Sequence, residues 1–488
     1  MSVINIPYYA PDSASTNSKY SKVVENLFPA LDGYISIPSF KTFGDPIKAK
    51  IYGGISVQSM DRLSYCFIGT AKDILMLDNT TKKWRKVTNK TKKYSANELS
   101  YWSFTVFGDY VIAVNANDKP QVFNLKTDSH FRDLGGNPPK ARSVTVWGDF
   151  LVLISLIDEP NKIMWSGLNN IEWWEVGKKN CDYQSFPTGG MVIGASNSTN
   201  PIIFMQRAIY RGIFAPGSKM VFTFSKLYDL ADNQSARAIV ARENLSFFID
   251  TSGFYQIDIQ GNLKSIGRGK INDFILKEVL GGNLFNVIGA IDPVASRVYW
   301  GIKSGNSTFI NKILIYDWIL DRWSYMKVEL EYILPLYSTG KTLESLDEYG
   351  NLENLPYSLD SYVWQHDYPS FAGINLQGQI GSFSDRQQPM EALIVSSDFK
   401  NNNGAIGILK DIALDIDGGE YFVSFGTRKN LLSPIEWSKE YAVEPKINKI
   451  NKLKRGRYLS IKIRISSQKS AWSKISKIYY KWLTAGTR

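Results

Sequence analysis

The stretch Ile74–Trp84 reads ILMLDNTTKKW, and the stretch Ile313–Trp323 reads ILIYDWILDRW. Each is an aliphatic run ending in Asp, then a short turn, then a Trp that opens the return. Short apolar runs bounded by turn residues are a strand signal, and an Asp at the bend can accept hydrogen bonds from the turn's own backbone. Looser copies lie at Val122–Phe131 and Phe254–Ile266. A second pair, TVFGDYVIAV at Thr105–Val114 and TVWGDFLVLI at Thr145–Ile154, is offset by 40 residues. Each reads as strand, tight Gly-Asp turn, strand. Repeats of roughly 40–50 residues built from four short strands are the sequence sign of a β-propeller. The two long copies begin 239 residues apart, which is five or six steps at roughly 40–48 residues per blade. A ring of six or seven blades follows, with six favoured; stacked sandwiches are the other all-β arrangement.

Composition leans the same way. The 488 residues are 44% apolar and 13% aromatic, and aromatic and β-branched side chains suit half-buried pleated surfaces. The expected fold is all-β, a propeller followed by a C-terminal β-sandwich-like domain. Residues 1–30, rich in Ser, Thr, Asn and Pro, read as an extended N-terminal arm, and deleting residues 1–25 is expected to leave a folded protein behind. Residues 31–341 read as the propeller, with a short helix predicted over Ile271–Leu280. Residues 342–390 read as an irregular connector or a final blade segment; Leu343, Leu346, Leu352 and Leu355 are spaced too tightly for a strand and predict short helical turns. Residues 391–488 read as a basic β-domain. There Ile412, Leu414 and Ile416 alternate on one face of a strand, as do Ile461, Ile463 and Ile465, with Lys462 and Arg464 on the opposite face. KINKINKLKRGR, at Lys446–Arg457, reads as the loop before the second of these strands.

The net charge of +11 is local: residues 441–488 hold thirteen Lys or Arg against the single acid Glu444, leaving about −1 for residues 1–440. Such a region suits nucleic acid, an acidic protein partner, or solvent. Lys452, Lys454, Arg455, Arg457, Lys462 and Arg464 are the candidate interface or channel patch. No segment has the ~20 apolar residues of a membrane span, and the N-terminus lacks the basic and apolar regions of a secretion signal. Two cysteines, Cys66 and Cys181, cannot make a disulfide framework and read as ordinary thiols.

Reactive chemistry is sparse. Two histidines, His130 and His366, leave little room for His-based acid–base catalysis or a multi-His metal site. Gly340-Lys341-Thr342 lacks the upstream glycine of a phosphate loop, since Pro335 stands there. Asp415-Ile416-Asp417-Gly418 lacks the third Asp/Asn and distal Glu of a calcium loop. Asp78 and Asp317 recur as turn residues, and Trp84, Trp147 and Trp323 as packing between blades. No catalytic residue, metal or cofactor is assigned.

Several stretches resemble one family. Tyr20–Pro29, YSKVVENLFP, resembles the start of tail hub proteins of short-tailed bacteriophages, also called nozzle or packaged-DNA stabilisation proteins. Val146–Trp174, with VWGDFLVLI and KIMWSGLNNIEWW, is similar to theirs. So is Thr342–Trp364, which resembles a segment of tail proteins from phages of alphaproteobacteria, and so is the ending, with Trp437, a basic stretch and the strands from Arg457. The resemblance implies a non-enzymatic structural protein of the virion tail, assembled in the host bacterial cytoplasm. It implies a homo-oligomeric ring, usually a hexamer, seated on the portal and adaptor proteins. Such a ring continues the channel for double-stranded DNA without sequence-specific binding, helps retain the packaged genome until ejection, and anchors spikes, fibres or a needle. The alternative is a phage tail propeller that binds or cleaves host glycan, a receptor binder or depolymerase.

Overall fold

The computed structural model describes residues 2–13, 19–78, 81–218, 220–233, 235–242, 244–279, 284–337, 369–383, 388–400, 406–443, 449–466 and 471–484. Five consecutive sheets each have four antiparallel strands in chain order. Blade 1 is Ile51–Gln58, Ser64–Thr70, Ile74–Leu77 and Trp84–Lys86; blade 2 is Ser103–Phe107, Tyr110–Val114, Gln121–Asn124 and Arg132–Asp133. Blade 3 comprises Ala141–Trp147, Phe150–Leu156, Lys162–Trp165 and Asp182–Ser185, and blade 4 Val192–Ala195, Ile202–Met205, Ala208–Phe214 and Phe222–Asp229. Blade 5 runs over Val240–Arg242, Leu245–Asp250, Gly253–Asp258 and Leu263–Ser265. The helix Asn272–Val279 follows, within the predicted span.

Blade 6 is Ile288–Asp292, Arg297–Ile302, Ile310–Asp317 and the first half of the 16-residue strand Arg322–Tyr337. The second half of that strand starts blade 7, pairing from Leu330 to Tyr337 with Pro369–Asn375. Ile380–Phe383 comes next, and the outer strand is Phe40–Phe43, from before blade 1. The blades therefore number seven, the upper of the two expected values. Repeat counting favoured six because blade 7 is drawn from three separated stretches and carries no copy of the repeat. Within 342–390, Pro369–Asn375 and Ile380–Phe383 are the middle strands of blade 7; the helical turns predicted around Leu343–Leu355 lie outside the described residues.

The repeats have a structural reason. Ile74–Trp84 and Ile313–Trp323 are the same hairpin, third strand to fourth, in blades 1 and 6. Oδ1 of Asp78 accepts from Thr81 N at 2.8 Å, and that of Asp317 from Leu320 N at 2.9 Å. Thr105–Val114 and Thr145–Ile154 are the first hairpins of blades 2 and 3. Gly108 (φ +57°) and Gly148 (φ +56°) take the left-handed conformation at the first loop position, where any Cβ would be strained.

Apolar layers join successive blades around the whole ring. Val57 and Phe67 of blade 1 meet Val111 and Phe123 of blade 2. Ile112 meets Leu151 and Leu153 between blades 2 and 3, and Val152 and Ile154 meet Ile203 and Met205 between 3 and 4. Phe204 and Phe248 join blades 4 and 5; Phe254, Trp300 and Trp323 join 5 and 6. One cluster spans blades 6, 7 and 1, with Ile313, Leu334, Phe371 and Ile68. At the closing seam Glu331 Oε1 accepts from Ile51 N at 2.8 Å, and Ser56 Oγ accepts from Tyr337 N at 3.0 Å. No covalent bond is needed, because an N-terminal strand completes the last sheet.

The C-terminal domain is a two-sheet sandwich, and it is not C-terminal alone. One sheet orders Ile450–Gly456, Gly407–Ile416, Lys474–Thr484, Gly33–Ser36 and Leu27–Ala30, with Ser2–Asn5 also on Lys474–Thr484. The other places Tyr20–Glu25 beside Ala392–Ser396, then Tyr458–Ser466 and Glu420–Arg428. Leu409, Ile412, Leu414 and Ile478 face Val24, Ile394, Ile461, Ile463 and Ile465 in one core. The arm expected over residues 1–30 is thus incorrect for its described part. Ile6, Tyr9, Val24 and Leu27 are buried, and the segment supplies strands to both sheets. Asp12 also caps the helix Asn272–Val279, accepting from Phe274 N at 2.8 Å and Asp273 N at 2.9 Å. The stretch read as a loop at Lys446–Arg457 contains the strand Ile450–Gly456 instead.

Asn26 is the pivot. It has φ +59° and separates the strand Tyr20–Glu25 of one sheet from Leu27–Ala30 of the other. Its N–H donates to Tyr325 O at 2.8 Å, its Nδ2 to Glu391 O at 2.8 Å, and its Oδ1 accepts from Lys327 N at 2.9 Å. Beside it Glu25 pairs in parallel with Tyr325, so blade 6 and the sandwich share one sheet. Asn26→Leu is expected to cost about 2–4 kcal/mol, from orphaned backbone partners and left-handed strain, measured by urea unfolding. Deleting residues 1–25 is expected to yield protein without a cooperative unfolding transition for the sandwich, detectable by calorimetry.

Candidate functional site

The basic candidates do not form one patch. Lys452, Lys454 and Arg455 lie on the strand Ile450–Gly456, which among the described residues pairs only with Gly407–Ile416 and so forms a sheet edge. Lys452, Arg455 and Arg457 are exposed and Lys454 is half-buried. Leu453 between them is 59% exposed, so this edge carries cations and an apolar side chain together. Lys462 and Arg464 lie in the opposite sheet, on Tyr458–Ser466 between Ala392–Ser396 and Glu420–Arg428.

Arg464 is committed to the sandwich. Its guanidinium meets Glu440 at 2.7 Å and Glu391 at 3.0 Å and lies 4.2 Å from the centre of the Phe422 ring. The arginine holds the Glu440 carboxyl below its usual range, chiefly through that hydrogen bond. Asp411, Asp415 and Asp417 take no part in holding Arg464. Those pair with Lys449, Ser476 and the Ser473–Lys474 backbone on the other sheet.

The tryptophans are placed between blades. Trp147 donates its indole N–H to Ser196 O at 3.0 Å, from blade 3 to the first-strand end of blade 4. Trp323 donates to Ile266 O at 3.0 Å and stacks on Trp300, 5.7 Å between ring centres. Trp84, more exposed, donates to Asp45 O at 3.1 Å beside blade 7. Trp102 and Trp300 repeat the device on Thr70 O and Ala238 O. At Gly69 a Cβ would sit 2.2 Å from Trp102 Cδ1, so only glycine admits that indole.

Two places escaped sequence reading. The first is a cavity of about 390 Å³ at the end of the propeller axis, formed by segments that lead into innermost strands or join second to third strands. Leu99–Tyr101, Arg142, Met191–Ile193, Gln206, Asp232, Asn233 and Phe285 line it, from blades 2 to 6. Tyr101 and Phe285 meet across it at 6.0 Å, with the Arg237 guanidinium 4.7 Å from the Tyr101 ring centre. Nothing in local sequence marks these residues, since they meet only through ring closure. The second is a basic hollow on the rim between blades 1 and 2, lined by Lys86, Lys90, Lys92, Lys93, Asp73 and His130. Partial burial, then Lys90 and Arg85, push the His130 imidazole below its ordinary value. His366 lies outside the described residues.

Burial pushes Cys66 up to about 12 and Cys181 up to about 11, which keeps both as thiols. Among the described residues no three His, Cys, Asp or Glu are grouped to hold a metal ion, and no helix is long and apolar enough to cross a membrane.

No protein family and no curated protein matches the sequence. Among solved structures, the chain is similar to the computationally designed Ika8 protein, at 10% identity and a TM-score of 0.36, over 76% of this chain and 98% of that one. It is similar to a chain of the mitotic checkpoint complex, at 9% identity and 0.41, over 72% and 94%. BamB from Moraxella catarrhalis gives 9% and 0.38, over 79% and 99%. At such values the assignment of a propeller rests on this chain's own strand pairing.

Arg464→Met is expected to cost at most about 1 kcal/mol at neutral pH, because the ion pairs are partly solvated. The depressed carboxyl of Glu440 contributes stability above the unfolded carboxylate range, and that contribution fades as pH falls through its lower folded value. The gap between wild type and variant should therefore narrow on acidification, read from urea midpoints between neutral and acidic pH.

Proposed function

We propose that the chain is a structural subunit of a short bacteriophage tail, a ring-forming hub or nozzle that extends the portal–adaptor channel. One observation carries this reading: a stretch that resembles the start of tail hub proteins, Tyr20–Pro29, is the piece that threads both sandwich sheets and joins them to blade 6. A resemblance located at the architectural joint concerns how the body is built. A disc fused to a sandwich through a shared sheet is stiff, and stiffness suits a tube wall.

In this reading copies of the chain form a ring, six being the expected number, on the adaptor. The exposed cations of the sandwich edge, Lys452, Arg455 and Arg457, with Lys454 beside them, face the DNA. Phosphate contacts of this kind are sequence-independent and weaken with salt. The propeller is turned outward to carry spikes, fibres or a needle. The location is the virion tail, after assembly in the host bacterial cytoplasm.

The test is co-expression with portal and adaptor proteins from the same genome, followed by cryo-EM of the purified assembly. The expected result is a closed ring in register with the adaptor. A protein that stays monomeric beside an intact portal–adaptor complex would sink the proposal. Charge reversal at Lys452, Arg455 and Arg457 is expected to leave ring assembly unchanged and to lower the fraction of particles that retain packaged DNA. Counting full and empty heads in micrographs of the variant measures it.

A further inference from the structure

We infer that the hollow on the propeller rim between blades 1 and 2 is a binding site for a compact phosphate ester that carries more than one negative charge. This stands apart from the tail reading, since it concerns a surface other than the sandwich edge.

The charge begins in the sequence. Residues 79–97 hold seven Lys or Arg and no Asp or Glu. They include the outer strand Trp84–Lys86 of blade 1 and the turn that leads on toward blade 2. Lys86, Lys90, Lys92 and Lys93 line the hollow, against the single carboxylate Asp73. Two of the four are spent on the fold: Lys86 pairs with Asp73 at 2.5 Å, and Lys92 pairs with Asp133 of blade 2. Lys90 and Lys93 are exposed and form no ion pair among the described residues. Like charges gathered in this way repel one another, and a cleft of one sign raises the local concentration of counter-ions.

The lysines also stand on a fixed frame. Asn89 is buried, and its Oδ1 accepts from Thr91 N at 3.1 Å and Thr91 Oγ1 at 2.9 Å. Its Nδ2 donates to Gln121 Oε1 at 3.1 Å and Asp133 Oδ1 at 3.2 Å, both in blade 2. Phe131 N donates to Val87 O at 2.8 Å, which ties the two walls together. Binding therefore orders side chains on a backbone already held in place.

The class of ligand follows from the lining. It holds no apolar or aromatic side chain besides the imidazole of His130, so affinity comes from charge and hydrogen bonds. Its cations are all lysines, compact charges that meet a phosphate from any side; the planar fork of arginine, which suits a carboxylate bidentately, is missing from the lining. A volume of about 600 Å³ is that of a small-molecule pocket. A DNA duplex or a folded acidic domain would span its mouth without filling it.

His130 supplies the readout. It lines the hollow, with Nδ1 3.0 Å from Ser129 Oγ, and burial, then Lys90 and Arg85, hold its imidazole below the ordinary value. A bound polyanion opposes those cations and raises the midpoint. The experiment is an NMR titration of the full chain labelled at histidine, with His130→Gln to assign the signal, in the presence of pyrophosphate or glucose 1,6-bisphosphate. The expected result is an upward shift of the His130 midpoint with both. Lys90→Glu/Lys93→Glu, an exposed pair, is expected to abolish the shift and to weaken binding about tenfold or more. Lys452→Glu/Arg455→Glu, on the sandwich edge, is expected to leave both unchanged. Vesicles carrying a bisphosphorylated glucosamine lipid form the second arm: sedimentation with them that Lys90→Glu/Lys93→Glu abolishes assigns the phosphates to a lipid headgroup, and no sedimentation assigns them to a soluble ester. An unmoved midpoint at millimolar phosphate ester would overturn the inference. So would equal binding by Lys90→Glu/Lys93→Glu, or a midpoint raised by a hexa-aspartate peptide or a short DNA duplex at lower concentration than by either phosphate.

Discussion

The architecture depends on a short parallel contact, Glu25 against Tyr325, and on the three hydrogen bonds of the neighbouring Asn26. Here the chain's beginning meets the outer strand of blade 6 and the first strand of the sandwich. Glu25 adds bonds to Tyr325 Oη and Lys327 Nζ, both at 2.9 Å. Because Asn26 is left-handed, the strands before and after it enter different sheets. The two domains are consequently parts of one hydrogen-bonded body, in contrast to domains joined by a tether, which move freely by default.

Within the propeller, stiffness comes from aromatic layers that lie between sheets. Several indoles fill a gap between blades with the ring and donate the N–H to a backbone carbonyl across it, so that they contribute burial and satisfy a buried acceptor together. The ring is closed at both radii by non-local contacts: inside by Glu331 and Ser56, outside by Phe40–Phe43. Loss of N-terminal residues thus bears on the last blade and on the sandwich together.

Charge is distributed by a different logic. The basic tail divides into residues spent on the fold and residues left over. Arg464 is held by two glutamates, and Arg428 and Lys22 converge on the buried Asp398, which also accepts from Ser460 Oγ. Burying such a carboxylate demands partners of this kind. Among the described residues the cations of the edge strand form no ion pair, although Lys452 lies 5.5 Å from the Tyr441 ring centre, and this makes them the better candidates for contact with an external polyanion.

Sequence alone determined what depends on local patterning. Period-two alternation marked Gly407–Ile416 and Tyr458–Ser466 as half-buried strands, and the repeated Asp turns and Gly-Asp turns identified two recurring hairpins, hence a propeller. These readings work because strand, turn and facing residue are set by neighbours a few positions away. The tertiary structure alone decided the rest: a seventh blade built from three stretches, an N-terminus woven into the sandwich, a basic cluster split between two sheets, and an axial cavity drawn from five blades. Each of these depends on residues tens to hundreds of positions apart. Their cause is closure of a ring and of a sandwich, a constraint on the whole chain that leaves no periodic mark in any one segment.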